Sequence, residues 1–249
     1  MRLEAPADSR PPAPVLAAAT PDKSPDAIRA MFSAISGTYD LLNGLLSVGW
    51  DRRWRRAAVS ASDVSAEGRV LDLGTGTGDL ALEFLRRPGF RGRVVGLDFA
   101  PPMLARAREK ARGATNARFV LADASRLPFR DGAFDVVSAA FAARNFADFP
   151  AALASSRRVL RPGGRLVLLE FFRPDRLAWP LRVYLRSVLP RVGAAISRHR
   201  SAYAYLRDSQ ESFVSLDEAL RLLGRAGFAP RRVERLFPGF AVLIVMERA

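Results

Sequence analysis

The sequence predicts an α/β protein built on a doubly wound sheet that is mostly parallel, with an antiparallel last strand and a helical lid insertion. Short runs rich in valine and leucine alternate with helical segments through the middle of the chain, as in successive βαβ units. The first of these runs ends in a glycine-rich turn. After the fifth run the alternation stops, and about 40 residues of helical character follow.

Each predicted element has its own signal in the sequence. The parallel strands are, in chain order, "RVLDLG", "GRVVGLD", "ARFVLAD", "FDVVSAAF" and "GRLVLLEF". The helices between them are "DLALEFLRR", "PPMLARAREKARG", with proline at its start and glycine at its end, and "FPAALASSRRVLRPGG", which Pro-Gly-Gly ends. A final helix, "SLDEALRLLGRAGF", precedes "RRVERLF" and "FAVLIVMER", which are close enough in sequence for an antiparallel hairpin at one edge.

A chain of 249 residues is expected to form one domain with small additions. Residues 1–25 contain prolines and acids but no continuous apolar core, so we expect a disordered tail rather than a signal peptide or a membrane span. Residues 26–249 form the expected domain, with an N-terminal helical cap at 26–60 and the lid at 173–213. The predicted location is the cytoplasm.

Composition excludes several kinds of site. The chain has no cysteine and a single histidine, His199, which argues against disulfides, thiolate clusters and ordinary zinc sites. The formal charge is +14, and 37 of the 39 basic residues are arginines scattered through helices and loops. Without basic runs or an aromatic platform, no nucleic-acid partner is expected. We interpret His199 as a surface residue in preference to a catalytic base.

The first chemical signal is the glycine-rich turn "LDLGTGTGDL". Gly74, Gly76 and Gly78 allow a sharp turn out of the strand and bring the backbone close to a ligand. Their spacing differs from the G-x-G-x-x-G of dinucleotide binders, so pyrophosphate binding is not supported.

Acidic residues stand near three successive strand ends. Asp72 precedes the glycine turn, Asp98 ends the second strand and Asp123 ends the third. A carboxylate in the place of Asp98 can accept hydrogen bonds from two ribose hydroxyls, and Asp123 could receive an adenine amino group. A lone aspartate there would be interpreted as a helix cap, but three together favour a nucleoside site.

The fourth strand ends in "FAARNF", which places Arg144 and Asn145 side by side where a buried strand stops. The carboxyl ends of parallel strands are where ligands bind, so these side chains are candidates for chemistry. The alternative is a loop arginine in a salt bridge and an asparagine that caps the next helix.

Six stretches stand in the order and at the spacing of a known family: "YDLLNGLLSVGWDRRWRR", "VLDLGTGTGDLA", "VVGLDFAPPMLARAREK", "DASRLPFRDGAFDVVSAAFAARNFAD", "RVLRPGGRLVLLEFFRP" and "AYAYLRDSQESF". From about Met31 to the C-terminus they resemble the ubiquinone/menaquinone biosynthesis C-methyltransferase family, whose members have the Rossmann-like class I methyltransferase fold. The stretches "YDLLN", "FAARNF" and "LEF" carry the specific part of the resemblance.

The resemblance implies transfer of a methyl group from S-adenosylmethionine to a ring carbon of a polyprenylated quinol, demethylmenaquinol or a ubiquinone-pathway benzoquinol. It implies Arg144, Asn145 and Tyr39 as catalytic residues: a group that stabilises phenolate charge or organises a water, one that orients the ring hydroxyl, and one that closes the pocket. Asp40 and Asn43 are interpreted as bracing residues. The implied cofactor residues are Asp72, Gly74, Gly76, Thr77, Gly78, Asp98, Asp123, Ala124 and Ala140.

The chain departs from the family at two places. Ala140 stands where many members carry a serine that contacts the cofactor, and "SRHR" at 197–200 replaces a more acidic or glycine-containing stretch. The second departure leaves another small aromatic acceptor, such as a polyketide or a phenol, as an alternative substrate. A nucleic-acid methyltransferase is disfavoured because the fourth strand lacks the Asn/Asp-Pro-Pro-Tyr segment of enzymes that act on base amino groups.

The lid sequence predicts transient contact with the inner face of an anionic membrane. Its stretch "LAWPLRVYLRSVLPRVGAAISR" mixes interfacial aromatic and aliphatic residues with Arg182, Arg186, Arg191 and Arg198. The alternative is a lid whose apolar face packs on the domain. A homodimer is also compatible with the sequence.

Overall fold

The structure is a computed structural model, and it describes residues 47, 49–173, 209, 212–239 and 241–249. The predicted tail, most of the cap, Tyr39, almost all of the lid and His199 lie outside these described residues.

A seven-stranded sheet forms the centre of the domain, in the order β3-β2-β1-β4-β5-β7-β6. Its strands are β1 (Arg69–Leu73), β2 (Arg93–Asp98), β3 (Ala117–Leu121), β4 (Phe134–Ala140), β5 (Leu160–Glu170), β6 (Phe228–Leu236) and β7 (Ala241–Arg248). The first five strands pair in parallel, whereas β7 is antiparallel to both β5 and β6. The predicted sheet with an antiparallel last strand is therefore confirmed.

The helices fit the predicted alternation. They are α1 (Trp50–Ser62), α2 (Asp79–Leu85), α3 (Pro101–Lys110), α4 (Phe149–Val159) and α5 (Leu216–Arg225), with a single 3₁₀ turn at Ala143–Asn145. Two of them begin at side-chain caps, because Asp148 accepts a hydrogen bond from the Ala151 N–H and Ser215 accepts one from the Glu218 N–H.

Two strands begin earlier than the sequence predicts. β5 starts at Leu160, so the Pro-Gly-Gly stretch lies inside the strand rather than ahead of it. The reason is that Leu160 pairs with Phe134 across a register shift, and the irregular backbone is accommodated as a bulge. β6 starts at Phe228 because its pairing with Arg248 of β7 extends the hairpin past the predicted arginines.

Apolar side chains cover both faces of the sheet. Neighbouring residues of β4 take opposite faces: Val137 belongs to the cluster that packs under α4 and α5, and Val136 to the cluster under α1 and α2. Helices thus flank the sheet on both sides, which is the doubly wound arrangement. The carboxyl ends of β1 to β5 are left to form one edge of the domain, where the site lies.

Candidate active site

A cleft opens at the carboxyl ends of the parallel strands. This is the place where open α/β sheets bind ligands. The described residues that line it are Gly74, Gly76, Leu97, Asp98, Phe99, Met103, Ala122, Ala124, Ala140, Phe141, Ala142, Asn145 and Phe146. Six of the predicted site residues are among them.

The glycine turn forms one wall of the cleft. Gly74 has a φ of 58°, and a Cβ built on it would lie 2.5 Å from the Cβ of Ala142, so only glycine fits between the loops after β1 and β4. Gly76 has a φ of 55° and open space where a side chain would stand. Its backbone is therefore bare toward the cleft, as a closely approaching ligand requires.

Asp98 is buried at the end of β2 and borders the cleft. One of its carboxylate oxygens accepts a hydrogen bond from the Gly76 N–H (2.8 Å) and the other accepts one from the Ala100 N–H (2.9 Å). Burial raises the pKa of Asp98 above its ordinary value, and these backbone hydrogen bonds oppose the rise. The carboxylate thus holds the glycine turn in place and keeps lone pairs for a ligand.

Asp72 is fully enclosed beneath the turn and does not line the cleft. Its carboxylate accepts hydrogen bonds from the Thr75 hydroxyl (2.7 Å) and the Ser138 hydroxyl (3.0 Å). Burial raises its pKa to about 7, although both hydroxyls and the nearby charge of Arg55 lower it. Asp72 therefore supports the turn from behind, by joining β1 to β4.

Thr77 and Gly78 complete the turn without facing the cleft. The Thr77 hydroxyl accepts a hydrogen bond from the Lys110 ammonium (3.0 Å), which also pairs with Asp79. Gly78 has a φ of 87°, and a Cβ there would lie 3.1 Å from that of Ala107, so glycine allows α2 and α3 to approach. Both residues shape the loop.

The ends of β3 and β4 contribute small side chains to the cleft. Ala124 and Ala140, which the resemblance implies as cofactor residues, are among the residues that line it. Asp123 is exposed, and its carboxylate accepts hydrogen bonds from the backbone N–H and the hydroxyl of Ser125. It lies between the lining residues Ala122 and Ala124 without itself lining the cleft.

Arg144 and Asn145 lie next to each other in the 3₁₀ turn after β4, but their side chains have different surroundings. Asn145 lines the cleft. Arg144 is buried behind it and pairs with Glu170, at 2.6 Å between Nη1 and Oε1. The predicted pair therefore lies at the carboxyl ends of the strands. The asparagine faces the cleft, and the arginine is in a buried ion pair.

Aromatic residues that the sequence did not identify as site residues form the rest of this wall. Phe141 lines the cleft in a left-handed backbone conformation (φ 56°), which is a strained state for a phenylalanine. Its ring stacks on Phe171 at 4.6 Å and contacts Trp54 of α1 at 6.0 Å between ring centroids. The "WDRRWRR" and "LEF" stretches contain these residues, but only the fold brings them beside Phe141.

No group of acidic residues or histidines that could hold a metal occurs within the ranges that the structure describes. Across the same ranges, no helix is both long and apolar enough to cross a bilayer.

Solved structures with the same fold include S-adenosylmethionine-dependent methyltransferases. One from Aquifex aeolicus aligns with a TM-score of 0.60 and 18% identity, over 78% of this chain and 89% of its own. One from Thermotoga maritima aligns with a TM-score of 0.63 and 19% identity, over 88% and 99%. The fold and the glycine-lined cleft thus define the class I methyltransferase architecture.

Sequence comparison gives the family. The model of the ubiE/COQ5 methyltransferase family matches residues 20–245. The demethylmenaquinone methyltransferase of Thermus thermophilus is 52% identical over 222 residues, 88% of this chain and 100% of the relative. That of Deinococcus radiodurans is 45% identical, over 82% and 86%. The chain belongs to the ubiE/COQ5 methyltransferase family, which confirms the resemblance seen in the sequence.

Proposed function

We propose that this protein transfers a methyl group from S-adenosylmethionine to a ring carbon of a polyprenylated quinol, converting demethylmenaquinol to menaquinol. The related proteins from Thermus thermophilus and Deinococcus radiodurans carry the name of this activity. Another relative, from a Geobacter species, is 41% identical and is named a ubiquinone/menaquinone biosynthesis C-methyltransferase. The benzoquinol of ubiquinone synthesis is therefore a second acceptor to test.

The cleft fits S-adenosylmethionine on its glycine side. Gly74 and Gly76 leave a bare backbone wall, and Asp98 offers carboxylate lone pairs to the ribose hydroxyls. Ala122 and Ala124 leave room beside the end of β3 for the base. When bound, the cofactor supplies a sulfonium methyl that is already activated for transfer.

The opposite wall provides polar groups for an aromatic acceptor. Asn145 can hydrogen-bond a ring hydroxyl, and the Arg144 guanidinium behind it favours ionisation of that hydroxyl. Phe141 and Phe146 offer flat apolar surfaces and keep water away from the reacting carbon. Formation of the carbon–methyl bond is balanced by cleavage of the sulfur–methyl bond, which releases S-adenosylhomocysteine, and by transfer of the displaced ring proton to solvent water. Tyr39, outside the described residues, stays a prediction.

A single observation carries the proposal: Gly74, Asp98 and Asn145 line one continuous cleft. The wall proposed for the donor and the amide proposed for the acceptor therefore share one space, which is the arrangement that direct transfer between two bound molecules needs.

The test is a transfer assay with the purified protein. S-adenosylmethionine labelled on its methyl group is mixed with a reduced, short-chain demethylmenaquinol, and label in the quinol is compared with S-adenosylhomocysteine formed. We expect equal amounts of both. A demethylated benzoquinol and a simple phenol serve as competing acceptors. Transfer to the phenol alone would contradict the proposal and support the alternative of another small aromatic acceptor.

We also propose that the protein works at the cytoplasmic face of an anionic membrane, because its proposed substrate is a lipid. An exposed aromatic and cationic group on the described surface supports this. The ring of Phe237, 69% exposed, packs on Trp50 at 4.8 Å, and the Arg53 guanidinium lies 4.6 Å above Trp50. Such a combination suits a lipid interface with anionic head groups.

The position of this group supports the same proposal. Phe237 lies in the turn between β6 and β7, and β7 begins opposite the end of β5, so the turn belongs to the edge that holds the cleft. The Phe237 carbonyl accepts a hydrogen bond from the Trp54 indole (2.8 Å), and Trp54 contacts Phe141 in the cleft wall. The cleft and the proposed membrane contact are thus separated by one layer of aromatic rings.

A further inference from the structure

Glu170 is the central residue of the "LEF" stretch and is not among the site residues predicted from the sequence. It is the last residue of β5 and is 1% exposed. A carboxylate buried this deeply costs free energy unless it is paired and hydrogen-bonded, so its partners indicate why it is there.

The partners of Glu170 belong to two loops at the acceptor side of the cleft. Oε1 accepts hydrogen bonds from Nη1 of Arg144 (2.6 Å) and from the Phe171 N–H (2.8 Å), and Oε2 accepts one from the Arg144 N–H (3.3 Å). One carboxylate therefore fixes both the backbone and the side chain of Arg144. It also fixes the start of the segment that stacks Phe171 on Phe141.

The Arg144 guanidinium keeps donors that Glu170 does not use. Its Nε is buried and has no hydrogen-bond partner among the described residues. Buried donors are nearly always satisfied in proteins, so Arg144 has fewer partners than its burial would lead one to expect. Because Arg144 does not line the cleft, its charge acts on a bound acceptor across the turn that carries Asn145.

We infer that Glu170 is a positioning residue: it holds the Arg144 guanidinium by one edge and, through the Arg144 backbone, fixes the 3₁₀ turn that presents Asn145 to the acceptor hydroxyl. The inference rests on the proposed function, since it concerns the same quinol acceptor. Neutralising Glu170 would leave Arg144 charged but free to turn, and the turn that carries Asn145 would lose an anchor.

The competing explanation is an ion pair that serves folding alone. Glu170→Gln retains the shape of the side chain and removes its charge, so both explanations predict some loss of stability. They differ over turnover. A positioning role predicts a fall in kcat of about 30-fold, with the affinity for S-adenosylmethionine within twofold of wild type.

Asp135 provides a matched control on the same pair of strands. Asp135 lies near the amino end of β4, at the opposite ends of the strands from Glu170. Like Glu170, it accepts hydrogen bonds from a backbone N–H, that of Arg69 (2.8 Å), and from a guanidinium, that of Arg161 (2.6 Å). Asp135→Asn should lower the melting temperature and leave kcat near wild type, because Asp135 lies far from the cleft.

The experiment measures kcat, KM for short-chain demethylmenaquinol, the Kd of S-adenosylmethionine and the melting temperature. It uses wild type, Glu170→Gln, Asp135→Asn, Arg144→Ala and the double variant Arg144→Ala/Glu170→Gln. If Glu170 acts through Arg144, the double variant should be about as slow as Arg144→Ala alone, because the two changes remove one function.

Three results would overturn the inference: a kcat within twofold of wild type for Glu170→Gln, losses in that variant that match those of Asp135→Asn, or multiplicative losses in the double variant. A wild-type protein that binds S-adenosylmethionine but methylates no quinol would instead contradict the proposed function, and the positioning role with it.

Discussion

The two walls of the cleft are built by different means. The wall proposed to bind the methyl donor, the donor side, lies at the ends of β1 to β3 and consists of bare glycine backbone and one carboxylate, Asp98, which backbone N–H groups hold. The wall proposed to face the acceptor, the acceptor side, lies at the ends of β4 and β5 and consists of a buried ion pair and stacked aromatic rings. A shared cofactor needs only the first kind of wall, whereas the second kind can differ with each acceptor. A substitution on the donor side should therefore lower the affinity for S-adenosylmethionine, whereas one on the acceptor side should lower turnover and leave that affinity unchanged.

The largest expected effect is on the donor side. Asp98→Ala removes the acceptor for ribose hydroxyls and unties the Gly76 N–H, so we expect the affinity for S-adenosylmethionine to weaken by about 2–4 kcal/mol. Calorimetric titration measures it. Asp148→Ala is the control, because Asp148 also accepts a backbone hydrogen bond, as the cap of α4. If both variants bind alike, Asp98 is only a cap.

The glycine turn and Asp98 could be predicted from the sequence as cleft residues because their signals are local. The pattern needs no knowledge of the fold: it consists of three glycines within five positions and an aspartate at the end of the next strand. The sequence could not show which of the three aspartates faces the cleft. Asp72 and Asp123 stand near strand ends as Asp98 does, yet only Asp98 lines the cleft. Burial and pairing decide between them, and both depend on tertiary structure.

The acceptor side was predicted in part. Arg144 and Asn145 were identified by their place after a buried strand, but their division between ion pair and cleft was not. The partner of Arg144, Glu170, is 26 positions away in the sequence. Trp54, on a helix before the first strand, is further still from the Phe141 ring that it contacts. Such pairings follow from strand order, which local patterns do not reveal.

The next effect tests whether the acceptor side acts in turnover. Arg144→Ala removes the charge that favours ionisation of the acceptor hydroxyl, so we expect kcat to fall about a hundredfold. Labelled-methyl transfer to demethylmenaquinol measures it. Full activity in this variant would remove Arg144 from the mechanism, and with it the chemical difference between the two walls.

A third expected effect concerns the pH dependence of stability, which we place on the donor side. Because the folded state raises the pKa of Asp72 to about 7, its contribution to the free energy of unfolding is complete below pH 4 and is lost as the pH rises through 7. Asp72→Asn should remove this loss. Relative to wild type, the variant should gain on the order of 4 kcal/mol between pH 4 and pH 8, measured by urea unfolding.

Asp135 supplies a control of opposite sign. Its pKa is lowered, with hydrogen bonds from the Arg69 backbone and Arg161 outweighing burial, so its contribution is present above its ordinary pKa and is lost as the pH falls. Asp135→Asn should therefore lose stability at neutral pH and converge with wild type in acid. The same trend in both variants would contradict the assignment to Asp72.

The smallest expected effect lies outside the cleft, at the proposed membrane contact. Phe237→Ser and Arg53→Glu should each weaken binding to anionic vesicles about fivefold at low salt, since one interfacial side chain contributes about 1 kcal/mol. Val233→Ser changes an exposed residue of β6, and Arg93→Glu an exposed arginine at the opposite edge of the sheet; both should bind like wild type. Co-sedimentation measures all four.

Membrane contact would be contradicted if wild-type protein stays in the supernatant with anionic vesicles at low salt while it methylates a short-chain quinol. Equal losses in the control variants would show that net charge, rather than the group formed by Trp50, Arg53 and Phe237, controls binding.

The separation of the two walls is tested most directly by one measurement: calorimetric titration of S-adenosylmethionine into Arg144→Ala. Arg144 does not line the cleft and pairs with Glu170 on the acceptor side. The affinity should therefore stay within about twofold of wild type even though turnover falls. A loss of affinity as large as that of Asp98→Ala would contradict the account, because it would show that the two walls form one structural unit.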